Sequence, residues 1–357
     1  MNPWTHSAKP LVAALTALCC MLLAACGSTN AHYDSKKPHH TPSGFVNKYS
    51  DELGGFKAFI TWQWERFGKK VPAPTADLSP VQPNLAAIAK PTQAQITWVG
   101  HSSALLQMGG FNVLTDPHFS ERASPVSFSG PKRHQAPGLS LQQLPRIDAV
   151  VISHNHYDHL DLASVRALAA MSQAPTFYVP LGIDAWFKDH VPAAKVVKAD
   201  WQDTLTHNSA AGALTLQFLA VQHWSSRTPF DRKATLWGSW ALQAGGKSVW
   251  FSGDLGYSKD TQDIAAQYPQ GFDLALIAVG AYEPRWFMKG QHINPAEAVT
   301  IHSELKSRKS VGIHWGTFTL TDEPLDQPLK DLDEAKKQQN IAAERFLMLR
   351  HGQTIAF

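Results

Sequence analysis

The chain has 357 residues, 44% hydrophobic and 17% charged, a balance that fits a packed globular protein and excludes wholesale disorder. Its formal net charge of +3 is too small to make nucleic acid a bulk electrostatic partner. Its three cysteines, Cys19, Cys20 and Cys26, lie at the start, which excludes a disulfide scaffold, a cysteine zinc module or a cysteine nucleophile in the body.

Residues 1–25 read as a signal peptide. Lys9 precedes an apolar run from Leu11 to Leu23, the length of a secretory core and short for a membrane span. The run ends in Leu23-Ala24-Ala25-Cys26-Gly27, which resembles the lipobox of bacterial lipoproteins. The resemblance implies cleavage before Cys26, acylation of Cys26, and an exported lipoprotein held on a membrane. If the source is Gram-negative, the place expected is the outer membrane, facing the periplasm.

Residues 26–44 are polar, contain Pro and Gly, and have no apolar period, so a flexible tether is expected, with His39-His40 as solvated linker residues. Residues 45–93 hold an aromatic helix and a Pro-rich connection. Leu53, Phe56, Phe59, Ile60, Trp64 and Phe67 recur at three- and four-residue steps, one helix face that either packs on the body or touches lipid. Pro72, Pro74, Pro80, Pro83 and Pro91 mark the irregular stretch that follows.

Residues 94–357 read as one strand-rich domain. Strand patterns fall at 95–99, 104–108, 112–115, 149–153, 176–179, 214–221, 236–244, 248–252, 274–279 and 310–314, with Gly109-Gly110 and Gly245-Gly246 as hairpin turns. Helical patterns fall near 161–171, 183–190, 295–306 and 328–344. Strands dominate and helices are interspersed, so the fold class expected is α/β (α+β), sheets covered by helices.

The chemistry concentrates in one segment. The apolar strand Asp148–Ser153 runs directly into His154, His156, Asp158, His159 and Asp161. On extended chain His154 and His156 point the same way and can pinch one ion. After a turn, Asp158 and His159 can face a second. Asp161 is placed to cap a following helix. These residues cannot complete two sites, and other strand ends supply more: His223, Asp254 and His314 each follow an apolar strand at once.

The cluster resembles the metallo-β-lactamase fold superfamily. Trp98-Val-Gly-His-Ser102, Thr115-Asp-Pro117, Gly130-Pro-Lys-Arg133, the segment 148–161, Phe251-Ser-Gly-Asp254, the stretch Ile277–Phe287 and Ile313-His-Trp-Gly-Thr-Phe318 are similar to the N-acylphosphatidylethanolamine-hydrolysing phospholipase D family. The similarity covers about residues 94–320. It implies an αββα sandwich of two mixed sheets and a dinuclear hydrolase. Carried over by position, His154, His156 and His223 would hold one Zn²⁺, Asp158, His159 and His314 a second, and Asp254 would bridge them. The ligand types also suit iron or manganese.

The resemblance further implies hydrolysis of an N-acylphosphatidylethanolamine-like phospholipid by a hydroxide between the metals, giving phosphatidic acid and N-acylethanolamine. Asp158 and Asp254 are the expected catalytic carboxylates. Tyr157 and His292 match positions that contact the phospholipid, with Gln291 beside them, and the helix start near Asn294-Pro295 suits a phosphate. His101, Asp116 and Asp161 are expected to orient ligand imidazoles. Partners expected are a phospholipid substrate and a bilayer reached through acylated Cys26. Competing readings are a lactonase or other ester hydrolase of the same fold, and a non-catalytic envelope lipoprotein stabilised by metal. The sequence leaves the oligomeric state open.

Overall fold

Two seven-stranded sheets pack face to face in a computed structural model that describes residues 30–50 and 54–357. The expected signal peptide and Cys26 lie outside the described residues.

A short hairpin, β1 (His40–Thr41) and β2 (Gly44–Phe45), comes first, then α1 (Phe56–Arg66) and α2 (Leu85–Ala89). The first large sheet takes β3 (Gln95–Gly100), β4 (Ser103–Met108), β5 (Phe111–Thr115), β6 (Ala149–Val151), β7 (Thr176–Pro180) and β8 (Lys195–Ala199), with α3 (Leu162–Ala169) and α4 (Ile183–His190) between its later strands. The second takes β9 (Thr204–Ser209), β10 (Gly212–Leu219), β11 (Ser239–Ala244) and β12 (Lys247–Phe251). After α5 (Asp260–Gln267) it adds β13 (Leu274–Ala278), and after α6 (Arg285–Met288) and α7 (Pro295–Glu304) it adds β14 (Lys309–Ile313). α8 (Gln327–Gln338) leads to β15 (Phe346–Met348), while β16 (Thr354–Ala356) returns to the first sheet beside β3. Both sheets are mixed: β5 to β8 and β12 to β15 pair in parallel, and the remaining pairs are antiparallel.

Alternation along the first sheet builds two cores. Ile96, Trp98, Leu106, Val113 and Val151 point to the second sheet, whereas Val99, Leu105, Leu114 and Val150 meet Val165, Leu168, Ile183 and Phe187 of α3 and α4. On the far side, Ile264, Val299, Ile301 and Leu332 from α5, α7 and α8 close the other face. Buried on both faces, the parallel strands need apolar residues at every position, and β13, Leu-Ala-Leu-Ile-Ala, is buried throughout. This is the αββα layering expected from the sequence. Gly109-Gly110 and Gly245-Gly246 turn the β4–β5 and β11–β12 hairpins as read.

Several expectations change. Residues 30–44, read as tether, are packed on the body. Asn30 donates to the carbonyls of Thr41 and Gly44, and Phe45 is buried at the end of the hairpin. His39 and His40 place their Nε2 atoms 2.7 and 2.9 Å from the Asp200 carboxylate, which also bonds Lys37. The polar composition that reads as linker instead answers a buried carboxylate.

α1 forms, but its aromatic stripe is not its buried face. Trp64 and Phe67 are 81% and 86% exposed, while Trp62, 6% exposed, stacks on Phe287 at 5.2 Å. The stripe followed spacing alone, and the surface that α1 meets selects Trp62 instead. Strands β8 and β9 were not anticipated, because they form the sheet edges and carry polar, half-exposed residues. The same holds for α2 and α5, which are short or polar.

Candidate metal centre

The functional side chains cluster where strands of both sheets end. His154, His156, Asp158 and His159 follow β6, His223 follows β10, Asp254 follows β12, and His314 follows β14 directly. Gly253 has φ +57°, and a Cβ there would meet Ser153 Cβ at 2.6 Å. Glycine therefore lets the end of β12 close against the β6 loop, bringing Asp254 to the histidines.

Two groups of donors result. His154, His156, His223 and Asp254 place one ligand atom each within 4.8 Å of one another, and so do Asp158, His159 and His314 with His101. Asp254 joins the groups through one oxygen. Its Oδ2 lies 3.0 Å from His159 Nε2 and 3.2 Å from His314 Nε2, and 3.9 Å from Nε2 of both His154 and His223. Asp158 Oδ2 lies 3.2 Å from His314 Nε2 and 3.4 Å from His159 Nε2.

The surrounding contacts set the imidazoles. His159 gives its Nδ1 proton to Asp116 at 2.7 Å, and His223 gives its own to the Gln291 carbonyl at 2.9 Å. Each then presents Nε2 to the centre. His154 Nδ1 is 2.9 Å from Ser153 Oγ, which also bonds Asp116. The His314 backbone, at φ +64°, donates to the carbonyl of His101, itself at φ +54°. With Asp116, at φ +29°, three non-glycine residues at this site hold left-handed backbone, a strain that clusters at functional sites.

The centre fits a pair of cations. His156 Nε2 and Asp254 Oδ1 are buried with no hydrogen-bond partner, a cost of about 1–3 kcal/mol each that a metal removes. Burial pushes the His314 imidazole down, but Asp254 and Asp158 outweigh it and raise it to about 9. His159 is likewise raised, against burial, by Asp254 and Asp158. The carboxylates thus demand positive charge between them, and imidazole and carboxylate donors are those of zinc, iron or manganese sites.

The remaining sequence expectations divide. Asp116 meets a candidate ligand imidazole, that of His159, whereas His101 meets a carboxylate instead, its Nε2 lying 2.9 Å from Asp158 Oδ2. Asp161 does not touch a ligand imidazole. Its carboxylate caps α3 through Ser164 and binds Ser120, so only its capping role holds. His292 reaches the centre, with Nδ1 3.9 Å from Asp254 Oδ2 and no hydrogen-bond partner. The start of α7 is not open to a phosphate in the way expected: Asn294 and Glu297 cap each other there, and Arg285 pairs with Glu297 at 2.8 Å.

Gln291 is buried, its side chain bonded to Trp224 and Met288, and it acts on His223 through its carbonyl. Tyr157 leaves the cluster. Its hydroxyl donates to the Arg227 carbonyl, and the Arg227 guanidinium lies 3.9 Å from its ring centroid, in a cleft of about 820 Å³ that Trp186 also lines. Arg227 and Trp224 were missed by sequence reading; their only signal is nearness to His223, Trp224 following it directly and Arg227 four residues on.

Comparison with known proteins agrees with this geometry. Residues 111–315 match the family model described as the beta-lactamase superfamily domain. The chain is 38% identical over 250 residues to "N-acyl-phosphatidylethanolamine-hydrolyzing phospholipase D 1" of Caenorhabditis elegans, covering 68% of this chain and 70% of that protein. It is 39% identical over 272 residues to an uncharacterised protein of Mycobacterium tuberculosis, covering 75% and 70% of the two chains. Among solved structures, an isothiocyanate hydrolase from Delia radicum gut bacteria shares the fold with TM-score 0.58 at 18% identity, over 74% of this chain and 99% of that one. The chain belongs to the metallo-β-lactamase superfamily and is a metal-dependent hydrolase within it.

Proposed function

We propose that the protein is a dinuclear zinc phosphodiesterase of the phospholipase D type, cleaving N-acylphosphatidylethanolamine-like lipids to phosphatidic acid and N-acylethanolamine. The observation that carries this reading is the Asp254 carboxylate, one oxygen of which serves two histidine groups, in a chain 38% identical to a protein named for that hydrolysis.

Two bound divalent cations supply Lewis acidity toward a phosphoryl oxygen and lower the pKa of water to about 7. The chain's own groups do the rest. His154, His156 and His223 would hold one ion, Asp158, His159 and His314 the other, and Asp254 would serve both groups. Asp158 is the more open carboxylate, 14% exposed against 2% for Asp254, and is placed to take a proton from the attacking water. His101 Nε2 holds that carboxylate in place. Burial lowers His292 to about 4, so it is neutral at pH 7 and offers a single N–H, suited to a phosphoryl oxygen beside Asp254.

Phe59, Ile60, Trp64 and Phe67, all exposed on and just after α1, support a lipid-facing surface. Attachment through acylated Cys26 and an envelope location belong to the same proposal.

The test is a panel of N-acyl, diacyl and lyso phospholipids given to the zinc-loaded chain. Release of an N-acylethanolamine supports the reading. Two bound metals with no phosphodiester turnover, or cleavage of carboxylic esters instead, would overturn the substrate class.

A further inference from the structure

Asn47 sits far from His223 in sequence and directly against it in space. Its side chain is 8% exposed, and its amide makes both backbone bonds of His223. The Asn47 Nδ2 group donates to the His223 carbonyl at 3.0 Å, and the His223 N–H donates to Asn47 Oδ1 at 3.0 Å. Trp237 Nε1 reaches the same Oδ1 at 3.2 Å.

His223 lies beyond the end of β10, so no strand partner satisfies its buried peptide groups. An asparagine amide offers a donor and an acceptor side by side, as a neighbouring strand does. Asp lacks the donor, and Gln is one carbon longer. The Gln291 carbonyl fixes the imidazole at Nδ1, while Asn47 fixes the backbone that carries it. Asn47 is held in turn by the segment anchored through His39, His40 and Lys37 on Asp200, with Phe45 donating its N–H to the Lys233 carbonyl at 2.9 Å.

We infer that Asn47 is a positioning residue for the ion bound by His154, His156 and His223, and that the amino-terminal strap around residues 37–47 belongs to the metal centre. The inference rests on the dinuclear reading. Asn47 acts on His223 through its backbone, which makes it a positioning rather than a catalytic residue.

The test uses the full chain loaded with zinc, as wild type, Asn47→Ala, Asn47→Asp and Tyr49→Phe. Zinc retained is measured against rising chelator, with the melting temperature of each metal-free protein alongside. Asn47→Ala is expected to release one zinc at about 10–100-fold weaker affinity and to keep the second, the scale of losing a group that orients a ligand. Asn47→Asp is expected to do the same, because it sets a carboxylate against the His223 carbonyl, and it serves if the alanine variant does not fold. Tyr49→Phe removes an exposed contact to Asp263 beyond the strap and should leave both ions in place. Equal retention of both ions in the Asn47 variants, or parallel loss of both, would overturn the inference. A wild-type chain binding fewer than two ions would instead overturn the dinuclear reading beneath it.

Discussion

Asp116 Oδ2 lies 2.7 Å from His159 Nδ1, and both side chains are fully buried. The carboxylate fixes the imidazole tautomer and turns Nε2 to Asp254 and Asp158. Asp116→Asn can offer its amide nitrogen to Nδ1 and favour the wrong tautomer. Affinity for the ion at Asp158, His159 and His314 is then expected to fall about 10–100-fold, read by chelator competition, with the other ion held as before. Unchanged affinity would remove Asp116 from the centre.

Asp254 serves both donor groups, so its loss should reach further than that of any one histidine. Asp254→Asn keeps shape and removes charge. Turnover is expected to fall by at least about 10²–10³-fold, the scale of deleting one preorganised electrostatic group, while circular dichroism shows a native fold. Activity surviving the change would refute the shared-carboxylate assignment.

Acid should destabilise the metal-free protein through buried histidines outside the ligand set. Burial lowers His302 to about 4 and His351 to about 3. An unfolded histidine binds its proton near pH 6.5, so the unfolded state takes up protons first as pH falls. Stability contributed by neutral His302 is complete above 6.5 and drains away down to about pH 4. Melting temperature recorded from pH 7.5 to 4.5 in chelator should fall, and His302→Gln should flatten the slope. A slope that the substitution leaves unchanged would contradict this.

Two tryptophans of one helix should behave differently. Trp62 stacks on Phe287 and donates to Asp322 at 3.2 Å, whereas Trp64 is 81% exposed. Trp62→Ala is expected to cost up to about 3–5 kcal/mol, seen as a lower melting temperature or early proteolysis of α1. Trp64→Ala should stay within about 0.5 kcal/mol. Equal effects would mean the helix is not anchored through Trp62.

The centre was legible because its ligands follow apolar strands, a pattern local in sequence. His154 to His159 form one cluster, and His223, Asp254 and His314 each sit where a strand stops. Contacts that join distant segments left no such mark. Asn47 meets His223 across 176 residues, and nothing in its surroundings announces it. His39 and His40 read as solvent-exposed because their partner, Asp200, is remote. Tyr157 lies between ligands in sequence, yet Arg227 draws it into another cleft. The face of α1 depended on Phe287, which no helical period contains.

The most direct measurement is a titration of the metal-free chain with zinc while N-acylphosphatidylethanolamine hydrolysis is followed. No turnover is expected without metal, and a plateau when two ions are bound per chain. Turnover in the metal-free protein, a plateau at one ion, or no hydrolysis with two ions bound would contradict this expectation.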